Sequence, residues 1–161
     1  MLFRSAIASF TRMKNTEVTN AMNRGKLNPL TMYGIDRMSL AEAKAPKTVQ
    51  FAMSILEKGQ RVGIFTDSLK AGDEIQRGIT KALSNLPSSS LLANKRVYFL
   101  NGRESPDQRM SEVDQFMKSP DQSPYAAMVI SFKAGGTGLS MENTANYIIF
   151  NDLPQTPVLD T

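Results

Sequence analysis

Lys133 stands between two hydroxyl-bearing residues, Ser131 and Thr137, in a stretch that also holds Gly135, Gly136 and Gly138. Three glycines within four positions let a backbone turn sharply and let a phosphate or sugar approach the main chain closely. A lysine charge and two hydroxyls beside such a turn suit a nucleic-acid backbone, a nucleotide, or both. No Gly-Lys-Ser/Thr follows, so this is not a Walker A loop. It also lacks the long helix and downstream acid of a dinucleotide fingerprint. Alone, Gly-Gly-Thr-Gly is an ordinary flexible turn, and the segments around it must decide.

Other chemistries are closed to this chain. It contains no Cys and no His among 161 residues. Thiolate and imidazole metal sites, a cysteine nucleophile and a histidine base are therefore excluded. No apolar run is long enough to span a bilayer as a helix. The net charge of +4 is uneven. Residues 1–48 carry eight Lys or Arg against three acids, and the remainder is close to balanced. A basic arm suits a polyanionic partner; a solvated surface around a few helices has the same composition. Phe3, Ile7 and Phe10 share a helical face among Arg4, Arg12 and Lys14. That pattern fits an organelle transit peptide or an interior helix, and an intracellular location in cytoplasm or nucleus is the expectation.

The elements that must position the glycine loop follow from the apolar pattern. Residues 1–45 read as short helical pieces around the polar stretch Asn23–Pro29. Pro46 suits the first turn of a helix with Val49, Met53 and Leu56 on its buried side, ended by Gly59. Residues 61–66 and 97–100 read as short buried strands, with a helix over 69–84 between them through Leu69, Ile75, Ile79 and Leu83. Ser105-Pro106-Asp107-Gln108 announces a helix by its cap, proline and capping-box residue, with Met110, Val113, Phe116 and Met117 expected on the core side. Strands over 126–131 and 146–150 bracket the glycine loop. Strands alternating with helices predict an α/β domain with a parallel sheet covered on both faces. Ligands on such sheets lie beyond the carboxyl ends of the strands. The loop from Ser131, the Thr66-Asp67-Ser68 turn and the Asn101-Gly102-Arg103 turn are expected to share that rim.

In this order the segments resemble the second RecA-like lobe of superfamily-two helicases of the Swi/Snf type, from Ala45 to Pro157. Gly59–Thr66 resembles motif IV. Tyr98–Arg103 with Gln108, Arg109 and Phe116 resembles the family's strand, Asp-Gly turn, Glu-Arg pair and helix, with Asn101 for Asp and Gln108 for Glu. Ser131–Ser140 resembles motif V. Asn146–Asp152, Pro154 and Pro157 resemble the strand and turn that follow, with Gln155 where Trp is usual. The resemblance implies a RecA-like three-layer domain over 46–161, incomplete at its C-terminal side, preceded by a basic helical extension over 1–45.

It further implies backbone contacts to nucleic acid, duplex DNA above all, from Ser131, Lys133 and Thr137, with Thr66, Asn101 and Arg103 as further contacts. Gly135, Gly136, Gly138 and Leu139 would lie near a nucleotide. Such contacts position a protein without reading sequence. ATP and Mg²⁺ would be held only together with a first lobe, in cis or trans. No Walker A loop is present and the family's arginine-bearing motif VI is not reached by Thr161, so no cofactor and no ATP hydrolysis are expected of this chain alone. The Asp73-Glu74 pair spells a helicase box in outline, but it follows Leu69–Gly72 rather than a buried strand, and acids early in a helix suit the dipole. The alternative function is a stand-alone, non-enzymatic module that binds nucleic acid or regulates a partner protein.

Overall fold

The computed structural model describes residues 29–135, 145 and 147–153. Helix α1 (Pro29–Leu56) leads into strand β1 (Val62–Thr66), helix α2 (Leu69–Ser84) and strand β2 (Arg96–Leu100). Helix α3 (Pro106–Met117), strand β3 (Tyr125–Ser131), the single turn α4 (Phe132–Gly135) and strand β4 (Tyr147–Phe150) follow. The strands pair in parallel in the order β2-β3-β1-β4. This is the α/β arrangement with a parallel sheet expected from the alternation of segments.

β3 is buried at every position, as a central parallel strand must be. Its side chains alternate between two cores. Ala127 and Val129 join Val62, Ile64, Val97 and Phe99 beneath α1 and α2. Met128 and Ile130 join Leu100, Phe116 and Ala134 on the opposite face, beneath α3 and α4.

The local signals explain most boundaries. Gly59 has φ +79°, and the bonds Gly59 N to Leu56 O and Gln60 N to Ile55 O close α1 in a Schellman motif. Ser68 caps α2 by accepting from Ala71 N at 3.1 Å, and Ser105 caps α3 by accepting from Gln108 N at 3.1 Å. Asp73 and Glu74 sit on α2, away from any strand end.

Three expectations change, and the exposure of β4 adds a fourth feature that the apolar pattern did not announce. α1 starts at Pro29 and carries Pro46 in its interior, so Pro46 does not open a helix. Pro29 takes the first helical position that the sequence suggested for Pro46, and the helix runs on through Pro46 despite its missing N–H. Met110 and Met117 are 68% and 44% exposed, leaving Phe116 and Val113 as the inward side of α3. Leu69, at the start of α2, is likewise 45% exposed. Tyr147, Ile148 and Phe150 are exposed: among the described residues β4 lies at the edge of the sheet, paired with β1 alone. The apolar face over Phe3, Ile7 and Phe10 lies outside the described residues.

At the amino ends of the strands, two cations grip the loop between α3 and β3. Arg61 stacks over Phe116 at 4.6 Å and donates from Nη1 to Lys118 O at 2.7 Å. Lys95 donates from Nζ to the carbonyls of Pro120 and Ser123. Burial lowers the pKa of both, with repulsion from Arg61 adding to the effect at Lys95.

Candidate functional site

The parallel register brings the carboxyl ends of the strands level. Thr66 pairs with Ser131, Phe65 with Phe150, and Leu100 with Ile130. The polar turns that leave β1, β2 and β3 therefore meet on one rim, as do Asn151 and Asp152 after β4.

Ser131 is buried, and its Oγ accepts from Ala134 N at 3.2 Å. That bond turns the chain out of β3 into α4 and lifts Lys133 into solvent. Phe132 on the same turn packs beside Phe65, with ring centroids 5.6 Å apart, and lies parallel to Phe150 at 6.1 Å. An aromatic floor thus supports the turn that carries the lysine.

The turn after β2 is held from within. The Glu104 carboxylate accepts from Asn101 N at 3.2 Å, Gly102 N at 3.0 Å and the Tyr98 hydroxyl at 3.1 Å. Burial, then the Glu104 hydrogen bond, pushes the Tyr98 phenol above its ordinary pKa. Asn101 Oδ1 accepts from Arg103 N at 2.9 Å. Gly102 has φ +91°, a conformation that favours glycine. A Cβ placed there would lie 3.9 Å from Ala134 Cβ, so the turn stands directly beside α4. Arg103 projects into solvent, and Arg109 donates from Nη1 to Ala134 O at 3.2 Å.

Thr66 is fully buried. Its hydroxyl donates to Asp152 Oδ1 and accepts from Ser68 N at 3.2 Å. Asp152 Oδ2 accepts from Asp67 N at 2.8 Å. Arg37 on α1 reaches the same corner, with Nη1 3.6 Å from Asp67 Oδ2 and Nη2 donating to Leu153 O.

Of the residues singled out in the sequence, Thr66, Asn101, Arg103, Ser131 and Lys133 gather on this rim. Lys133 and Arg103 present charge outward, whereas the Thr66 and Ser131 hydroxyls are engaged inside the protein. Gly135 ends α4; Gly136, Thr137, Gly138 and Leu139 lie outside the described residues. Asp152, Arg37 and the bond from Arg109 to Ala134 were not among the residues the sequence pointed to. Asp152 carried one usable signal, its place two residues beyond a predicted parallel strand, at the end of the Asn146–Asp152 stretch of the resemblance. Arg37 carried none, because its partners lie far along the chain.

The described rim offers the exposed cations Lys133 and Arg103 rather than converging carboxylates. Glu104 and Asp152 are occupied by hydrogen bonds within their turns. This chemistry suits a phosphate-bearing ligand and does not fit a Mg²⁺ site made by this chain's described residues. No described helix is long and apolar enough to cross a membrane.

No family model matches the chain. Over 117 residues, 73% of its length, it is 27% identical to a Bacillus subtilis (strain 168) protein named "Putative ATP-dependent helicase/translocase YwqA", and it spans 11% of that protein. It superposes on the Sulfolobus solfataricus SWI2/SNF2 ATPase C-terminal domain with TM-score 0.61 and 23% identity, covering 90% of this chain and 67% of the other. The S. solfataricus SWI2/SNF2 ATPase core in complex with dsDNA gives TM-score 0.61 and 21% identity over 94% of this chain and 34% of that one. The C-terminal part of the Fun30 ATPase domain gives TM-score 0.54 and 21% identity, over 73% and 33% of the two chains. At these identities the structural likeness is one of fold.

Proposed function

We propose that this chain, which has the fold of the C-terminal lobe of Swi/Snf-type superfamily-two ATPases, serves as one lobe of an ATP-dependent motor that moves on duplex DNA. One observation carries the reading. Ser131 caps a turn that exposes Lys133 on the rim where the Arg103 turn also stands. Phosphate-facing cations are thereby held on rigid strand ends rather than on a free loop.

In this reading Lys133 and Arg103 grip the backbone of one strand. Ser131, Thr66 and Asn101 shape the turns, and Thr137 adds a hydroxyl to the same grip. Gly135, Gly136, Gly138 and Leu139 would serve the nucleotide side of the motif, as the resemblance implies. ATP would lie between this lobe and a first lobe that holds its Mg²⁺ and supplies the phosphate loop. Closing and opening of the two lobes would change the spacing of their grips on the strand.

The test is binding of the chain to duplexes of unrelated sequence across a salt series. Affinity should be alike for all sequences and should fall steeply with salt, because neutralised phosphates release counterions. Failure to bind any duplex at low salt overturns the reading. DNA-stimulated ATP hydrolysis should appear only when a first lobe is supplied.

A further inference from the structure

We infer that Asp152 is a positioning residue for this nucleic-acid grip, acting through Thr66 and the Asp67 amide; the inference rests on the function proposed above. Asp152 follows the edge strand β4. Its Oδ1 accepts from the Thr66 hydroxyl and from Asn151 Nδ2 at 3.0 Å, and its Oδ2 accepts from Asp67 N at 2.8 Å. One half-buried carboxylate therefore ties the carboxyl end of β1 to that of β4, across 85 and 86 positions of sequence.

Thr66 shows what this tie does. Its side chain is completely buried, so its hydroxyl cannot reach a phosphate. Its neighbour across the sheet is Ser131, which caps the turn bearing Lys133. The bond from Thr66 to Asp152 thus fixes the strand end against which that turn is built.

Charge supplies the second argument. A carboxylate on a rim that faces a polyanion opposes binding by simple Coulomb repulsion. If Asp152 acted through its charge alone, removing that charge would strengthen binding. If it positions the grip, removing it weakens binding. The two roles have opposite signs.

Asp152→Asn keeps the size but turns one acceptor oxygen into a donor, so the three bonds from Thr66 Oγ1, Asn151 Nδ2 and Asp67 N cannot all persist as they stand. Thr66→Val removes the hydroxyl without changing charge, and Thr66→Ser restores it. The experiment measures duplex affinity of the full chain against salt for the wild type and these three variants. It is run at a temperature where circular dichroism shows each one folded. Asp152→Asn and Thr66→Val should bind several-fold more weakly, with a log–log salt slope smaller by about 0.9 for each phosphate no longer neutralised. Thr66→Ser should regain most of what Thr66→Val loses. Should Asp152→Asn fail to fold, the Thr66 pair carries the test alone. Wild-type binding together with unchanged or tighter binding by Asp152→Asn, or by Thr66→Val, overturns the inference and leaves the proposed function standing. Absence of binding by the wild type removes both.

Discussion

Arg109 Nη1 lies 3.2 Å from the carbonyl oxygen of Ala134, so the first turn of α3 holds the last turn of α4. A charged donor on a carbonyl at a helix end contributes about 1.5–3 kcal/mol. Arg109→Met should lower stability by about that amount in urea titration and loosen the turn that carries Lys133. Arg109→Lys should recover little, because an ammonium lacks the planar fork of the guanidinium.

Lys133→Ala should weaken binding to every duplex alike and reduce the salt slope by about 1. Lys133 is exposed, so the unfolding free energy should stay within about 0.5 kcal/mol of wild type. Preferential loss for some sequences would mean that the lysine reads bases rather than phosphates.

Gly72 lies where α2 crosses the ring of Phe99. A Cβ at Gly72 would stand 2.2 Å from Phe99 Cζ, and the ring is buried. Alanine there gains about 1 kcal/mol of helix propensity but forces the ring or the helix aside, at about 1–3 kcal/mol. Net destabilisation of Gly72→Ala is expected by thermal denaturation, with partial recovery when Phe99→Leu is added.

Stability should fall at alkaline pH. Burial, then the hydrogen bond to Glu112, pushes the Tyr125 phenol up to about 12 from 10.0, and Tyr98 shifts the same way. A raised folded-state pKa means that the native protein keeps protons which the unfolded chain releases. This stabilisation is complete below pH 10 and is lost as pH rises through 12. Lys95, whose pKa is lowered, works in the opposite direction below its ordinary value. Tyr125→Phe should therefore flatten the loss above pH 10 in pH-dependent unfolding curves. An equally steep loss in the variant would assign it to other groups.

What the sequence revealed and what it hid divide by range. The Ser105 cap, Gly59 and the apolar strands are decided by neighbours within a few residues, and the structure agrees with them. The shared rim follows from topology once the strands are parallel. The exposed sides of Met110, Met117 and Leu69 depend on how much surface α2 and α3 find to cover, which periodicity does not measure. Arg37 with Asp67, and Arg61 with Phe116, join distant positions and are invisible to local pattern. Arg109 has Asp107 and Glu112 as obvious local partners, and nothing near it in sequence announces its bond to Ala134, 25 positions away.

Asn151 has a consequence for the order in which the molecule forms. It accepts from Thr48 Oγ1 at 2.6 Å and donates to Ala41 O at 3.0 Å, so one side chain touches α1 on both sides of Pro46. A proline inside a helix deletes a backbone bond and weakens that turn. The edge strand thus splints a fracture line in the first described helix, across separations of 103 and 110 residues. Until β4 docks, the stretch before Pro46 lacks this brace. In a chain made from its amino end, the helix synthesised earlier waits for a strand synthesised about a hundred residues later to hold it straight.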